Sequence, residues 1–159
     1  MAGILFTDGK FTLSGVSKYA EMTGIGGKKE GDETPVETAV RETVEELFDP
    51  EEIPEGLFED IINTIRFDNM VFKTDHTYSL FIMNFDDLNN FLILAKKHNL
   101  RSKVYDTIPS TLLQLILDRK ILKSSELSHI LLVPNLPLEN ELEFDGCFVN
   151  DIIHLKTMK

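Results

Sequence analysis

The sequence predicts an α/β fold. Extended segments near residues 3–7, 11–19, 77–85 and 127–133 alternate with helical segments at 34–48, 56–67, 87–99 and 110–122, the interleaving expected when helices cover a sheet. The chain has 159 residues, 42% of them hydrophobic, enough to build one domain, 1–159, whose core needs no disulfide. With only 9 glycines and 6 prolines, collagen-like, low-complexity and mostly disordered classes are excluded.

Each element has a local signal. The apolar segment 3–7 and the segment 11–19 flank Asp8-Gly9, a turn dipeptide that predicts a β-hairpin. Thr23 to Glu33 contains Gly24, Gly26, Gly27 and Gly31 and is predicted as a loop built for close backbone approach. Thr34-Pro35-Val36-Glu37 fits a capping box with proline at the first helical position, so a helix should start there. It should end before Asp49-Pro50. Phe58, Ile61, Ile62 and Ile65 share one side of a second helix from about Gly56 to Phe67, and Thr77–Phe85 is predicted as a largely buried strand. Two further helical pieces are joined by a polar link carrying Arg101 and Lys103; residues 127–133 then return to strand before Pro134. Asp145-Gly146 suggests another turn, and the last ten residues fit either helix or strand.

Formal net charge is −11, so the whole-protein field repels polyanions and binding through a simple basic surface is disfavoured. The distribution is uneven. Residues 1–68 carry 6 basic and 16 acidic groups, 69–125 carry 8 and 5, and 126–159 carry 2 and 6. An acidic first half beside a mildly basic middle suits a cation held together with a phosphate-bearing ligand. Cys147 is the only cysteine, which rules out an intrachain disulfide, a Cys-rich zinc site and a CxxC pair. It is expected as a core thiol. The N-terminus lacks a basic segment followed by a long apolar run, and no window approaches the ~20 apolar residues of a spanning helix. A cytoplasmic protein with no membrane partner is expected.

The chemistry concentrates on the first helix. At ~100° per residue, Glu45 and Glu46 lie within about 60° of Glu42, whereas Val36, Ala39, Val40, Thr43, Val44 and Leu47 occupy another face. The result is one acidic stripe beside one packing face. Like charges at these spacings repel, and they sit towards the helix end that disfavours anions. Clustered carboxylates of this kind suit Mg²⁺ or Mn²⁺, especially when substrate phosphates complete the coordination.

The surrounding spacing sharpens that reading. Gly27, five residues, Glu33, seven residues, and then Arg41-Glu42-Thr43-Val44-Glu45-Glu46 resembles the Nudix hydrolase signature. The departures are Thr43 at an aliphatic position, a small change because a buried threonine hydroxyl can bond back to the carbonyl four residues earlier, and Phe48-Asp49 in place of glycine and an aliphatic residue. The resemblance implies a Nudix-type α/β/α sandwich with a mixed central sheet, and a helical insertion around 86–123. It also implies metal ligands at Glu42, Glu45, Glu46 and the backbone carbonyl of Gly26. Glu45 or Glu46 would orient the attacking water, Arg41 would brace the loop by pairing with Glu33, and Lys28 and Lys29 are candidates for substrate phosphate. Glu126, just before the strand at 127–133, is the candidate extra acid or base.

The function so implied is water attack on phosphorus in the diphosphate linkage of a nucleoside diphosphate derivative or other small organic pyrophosphate, with Mg²⁺ or Mn²⁺. Decapping of messenger RNA is the enzymatic alternative, and a catalytically inactive binding module of the same fold is the non-enzymatic one. Ala2–Lys10 and Gly24–Lys29 resemble the Nudix proteins of large DNA viruses, some of which remove caps. Capped RNA would find Lys96, Lys97, His98, Arg101, Lys103, Arg119, Lys120 and Lys123 as phosphate contacts, although basic residues at helix ends also serve the helix dipole. Tyr19, Tyr78 and Tyr105 are candidates to stack on a base.

Overall fold

The computed structural model describes residues 1–73, 77–135, 148 and 151. Strands β1 (Ala2–Phe6), β2 (Phe11–Ser17), β3 (Met22–Thr23) and β4 (Ile25–Gly27) precede helices α1 (Pro35–Phe48) and α2 (Leu57–Thr64). Strands β5 (Met70–Lys73) and β6 (Tyr78–Met83), helices α3 (Phe85–Lys97) and α4 (Leu112–Leu117), and strand β7 (Leu127–Pro134) follow. The mixed α/β class agrees with expectation. Cys147 and the Asp145-Gly146 turn lie outside the described residues, as does most of the C-terminal segment.

The strands form two sheets. A four-stranded mixed sheet has the order β4-β1-β6-β5, with β1 parallel to β6 and its other pairs antiparallel; an antiparallel three-stranded sheet has the order β3-β2-β7. The expected hairpin is therefore corrected. β1 and β2 belong to different sheets, their ends joined by a bridge between Thr7 and Thr12 and by the Asp8 N–H donating to the Phe11 carbonyl at 3.2 Å. The Asp8 carboxylate accepts from the N–H groups of Lys10 and Phe11, both at 2.8 Å, an Asx turn that hands the chain from one sheet to the other. The expected loop at 23–33 is likewise partly strand: β4 runs against β1 with Gly3 opposite Gly26.

β1 lies at the centre because its apolar run suits burial on both faces. Ala2, Ile4 and Phe6 enter the main core, whereas Leu5 joins Met22, Leu80, Val133 and Phe148 on the other side, as alternation along a strand requires. Ala39, Val40, Val44 and Leu47 of α1 are fully buried in the main core. Leu57 and Ile61 of α2, Leu88 and Phe91 of α3, and Leu115 of α4 complete it. Of the expected helix at 110–122 only Leu112–Leu117 is helical, since the chain then turns the Arg119 side chain inward. The link before α4 packs on the end of α1: Lys103 N–H donates to the Asp49 carbonyl at 3.1 Å, and the Ser102 hydroxyl donates to the Phe48 carbonyl.

Thr43 is fully buried and its hydroxyl has no hydrogen-bond partner among the described residues, so the bond back along the helix that a buried threonine can form is not made. An unsatisfied buried hydroxyl costs free energy that a methyl group of the same shape does not. Thr43→Val should raise stability by about 1 kcal/mol, read as a shift of the urea midpoint at unchanged slope.

Candidate active site

The site begins with how α1 is started and stopped. Thr34 is the N-cap; its hydroxyl accepts from Glu37 N–H at 3.2 Å while the Glu37 carboxylate accepts from Thr34 N–H at 2.8 Å. This closes the predicted capping box and leaves Glu37 committed to the cap. At the other end Asp49 adopts a left-handed conformation (φ 41°, ψ 62°), its N–H donating to the Glu45 carbonyl. Asp49 also accepts from the Ser125 hydroxyl at 2.5 Å. Phe48, at the position where the Nudix pattern has glycine, is fully buried.

Between these ends Arg41 gathers the loop and the acidic stripe. Only 7% exposed, it donates from Nε to Glu33 at 2.7 Å and from Nη2 to Glu33 at 3.2 Å and to the Lys28 carbonyl at 2.7 Å. Its Nη1 donates to Glu42 at 2.9 Å and Glu45 at 3.0 Å. Glu33 additionally accepts from the Thr38 hydroxyl at 2.8 Å and Glu30 N–H at 3.1 Å. The Arg41 guanidinium is the largest cause holding the Glu33 carboxyl down at about 2.

Glu42 and Glu46 lean on the glycine strand. A Cβ on Gly27 would lie 2.4 Å from the Glu42 carboxyl carbon, so glycine is what lets that carboxylate reach the backbone. Gly26 donates its N–H to Glu46 at 3.0 Å, which brings that carboxylate against the glycine whose carbonyl is the expected ligand. Burial is the largest cause pushing the carboxyl pKa values of Glu42 and Glu45 up, and it drives that of Glu46 well above the usual carboxylate range. Glu126 adds like-charge repulsion on all three.

Glu126 is therefore brought to the stripe, as its place before β7 suggested. It is exposed, and with Glu45 and Glu46 it lines a cleft of about 400 Å³. Lys28 and Lys29 remain exposed on the loop, Lys28 contributing its carbonyl to Arg41. Several basic residues of 96–123 pair at the surface with neighbouring side chains. Lys97 and His98 both reach Asp60, at 3.0 and 2.8 Å, and Lys103 lies 3.9 Å from Asp49. Lys120 pairs with Asp106, and Lys96 donates to Ser110.

Arg119 is the residue whose role the sequence reading missed. It donates to the carbonyls of Leu47 at 2.6 Å, Glu46 at 3.1 Å and Leu127 at 3.2 Å, with Tyr105 5.7 Å away. The last turn of α1 has no basic residue of its own. Arg119 supplies the missing positive charge at the negative end of that helix and ties it to the start of β7. The local signal, a basic residue just after α4, pointed to the wrong helix end.

A divalent cation can be tested against these residues. The donor set is carboxylate oxygen, the chemistry hard cations select, and the glycine cradle at Gly27 lets Glu42 turn inward. Burial of like charges also makes a positive partner favourable. In the arrangement described, with Arg41 holding Glu42 and Glu45, no three acidic, histidine or cysteine side chains among the described residues converge as a metal site. Chemically the carboxylates fit such an ion; ligation requires them to turn towards one another.

No family model matches the sequence, and no curated protein matches it. Among solved structures, one described as a hydrolase of the NUDIX family from Clostridium perfringens is similar over 99% of this chain and 96% of that chain, with 13% identity and a TM-score of 0.43. So loose an overlap carries no argument on function, and it adds nothing to the likeness with viral proteins. The functional reading stands on the residues.

Two outcomes follow. Arg119→Ala should cost about 3 kcal/mol in denaturant unfolding, because buried carbonyls lose a charged donor. Without metal, the raised pKa of Glu46 contributes stability that is complete below the ordinary value of 4.5 and is lost as pH rises through the folded value. Glu33 runs the other way, its contribution present above 4.5 and lost as pH falls towards about 2. In chelator, Glu46→Gln should therefore melt higher than the wild type at pH 8, with the gap closing towards pH 5; a constant gap across that range would contradict the assignment.

Proposed function

We propose that this chain is a Mg²⁺- or Mn²⁺-dependent pyrophosphohydrolase of the Nudix type, cleaving a diphosphate linkage in a small organic substrate. One observation carries the reading: Gly27, Glu33, Arg41, Glu42, Glu45 and Glu46, spaced as in the signature, fold into one interlocked loop and helix. A chance run of acidic residues would give no reason for Arg41 to join Glu33 to Glu42 and Glu45.

In this reading Glu42, Glu45 and Glu46 hold the cation, which when bound would stabilise charge developing on phosphate oxygens and make water a stronger nucleophile. The protein's residues supply the rest. Arg41 fixes the loop against α1, so that the β4 backbone and the carboxylates keep their spacing. Glu46, anchored by Gly26 N–H, orients the attacking water. Glu126, exposed at the cleft wall, takes its proton in this reading. Lys28 and Lys29, exposed at the loop, can meet substrate phosphate.

A small substrate is preferred to capped RNA because Arg119 is buried under backbone carbonyls while Lys97, Lys103 and Lys120 lie against carboxylates. An inactive binding module is disfavoured because all three helix carboxylates are present.

The test is a panel of nucleotides, other organic pyrophosphates and capped RNA at several salt concentrations with Mg²⁺ or Mn²⁺, products being identified by mass spectrometry. Hydrolysis of a free diphosphate compound is expected, with Glu46→Gln lowering kcat at least about a hundredfold while the variant stays folded. Equal turnover by wild type and variant would contradict the role of Glu46. Activity confined to capped RNA would replace the reading with decapping, and no activity on any substrate would favour the binding module.

A further inference from the structure

The proposed proton acceptor is held in place by its neighbours. Glu126 is exposed, so its own packing does little to fix it, yet a group that takes a proton from the attacking water must keep its distance from that water. The residues on either side of it are both tied to the end of α1. Leu127 is held through its carbonyl by Arg119, which also holds the carbonyls of Glu46 and Leu47. Ser125, only 6% exposed, donates its hydroxyl to Asp49 Oδ2 at 2.5 Å and its N–H to the Leu122 carbonyl at 3.2 Å.

Asp49 departs from the Nudix pattern, which has an aliphatic residue there. Phe48 fills the glycine position and remains helical, so the left-handed residue that ends α1 falls on Asp49, a backbone state that aspartate tolerates better than most side chains. An aliphatic side chain at this place could accept nothing from Ser125. The Asp49 main chain is braced on both sides: its N–H donates to the Glu45 carbonyl, and its carbonyl accepts from Lys103 N–H at 3.1 Å. One residue further on from Pro50, Glu51 N–H donates to the Arg101 carbonyl at 3.1 Å. The second carboxylate oxygen of Asp49 lies 3.9 Å from the Lys103 ammonium. Asp49 is thus fixed by α1 and by the link before α4, and it reaches across to the residue next to Glu126.

Asp49, Ser125 and Glu126 line the same cleft as Glu45 and Glu46. Asp49 comes three residues after Glu46, and Ser125 immediately precedes Glu126. One hydrogen bond therefore spans the gap between the acidic stripe and the proposed base. Arg119 secures the other flank, so loss of the Asp49 contact would loosen Glu126 without detaching β7.

We infer that Asp49 is a positioning residue: through the Ser125 hydroxyl it sets where Glu126 stands against Glu45 and Glu46, and it acts on turnover through Glu126 rather than through the cation. The inference rests on the hydrolase reading for the role of Glu126; the clamp itself is a property of the fold.

Three variants separate the parts. Asp49→Gly keeps the left-handed backbone and removes the acceptor, Ser125→Ala removes the donor, and Asp49→Asn keeps a side-chain oxygen in a residue that also tolerates this geometry. Amide hydrogen exchange of the metal-free protein, read by NMR, should show protection at position 125 falling about tenfold in Asp49→Gly and Ser125→Ala. Asp49→Asn should restore it, and Val40 and Val44 of α1 should keep theirs. Unchanged protection at position 125, or equal loss through α1, would overturn the clamp. With Mg²⁺ and the compound that the wild type cleaves fastest in the panel, Asp49→Gly should lower kcat about tenfold with KM within about twofold, and in the Glu126→Gln background it should lower kcat no further. An equal loss in both backgrounds, a kcat indifferent to Glu126→Gln, or weaker Mn²⁺ binding by Asp49→Gly would overturn the positioning role. Exchange as expected beside a wild type that cleaves nothing would sink the hydrolase reading alone; turnover indifferent to Asp49→Gly would sink the positioning role alone.

Discussion

The ion pair between Arg41 and Glu33 is the constraint on which the site depends. A helix with three carboxylates in its second half is electrostatically unfavourable: the charges repel, and they crowd the end where the helix dipole is negative. Arg41 counters this from within the helix while tying the glycine-bearing loop down through Glu33 and the Lys28 carbonyl. At the far end Arg119 reaches from beyond α4 to the carbonyls of Glu46 and Leu47. Two buried guanidinium groups thus bracket the acidic stripe, one acting on side chains and the other on the backbone. Neither is spare, because removing either would leave polar groups in a poorly solvated place.

The sheet sets where the stripe faces. α1 packs its apolar side on β1 and β4, so the acidic side emerges along the glycine strand. Gly26 gives Glu46 an N–H partner, and the missing side chain of Gly27 gives Glu42 room. β7 then enters beside the end of α1, held there by Arg119 through the Leu127 carbonyl, which brings Glu126 and the cleft wall to the carboxylates. Residues far apart in sequence meet because one helix end and one strand start share an arginine.

Much of this was legible before the structure, for identifiable reasons. The capping box at Thr34 and the helical period of Val36, Val40, Val44 and Leu47 are local signals, and the structure keeps them. The strands at 77–85 and 127–133 announced themselves through continuous apolar runs bounded by polar residues or proline. Pairing was harder to read. Asp8-Gly9 has the chemistry of a hairpin turn, yet here it carries the chain between sheets, a choice made by which partners β1 and β2 find elsewhere. β5 was not anticipated, being only four residues with a polar end. Arg119 and the unsatisfied Thr43 hydroxyl depend on tertiary surroundings that no short window of sequence contains. The site residues were legible because their spacing is itself local.

The central claim is that Glu42, Glu45 and Glu46 tolerate one another because together they take a divalent cation. Electron paramagnetic resonance of free Mn²⁺ titrated with protein tests it directly. The account predicts that wild-type protein depletes the free-ion signal and that a variant with all three residues changed to glutamine, shown by circular dichroism to be folded, leaves it near the level of buffer. Equal depletion by the two proteins, or none by the wild type, would contradict it.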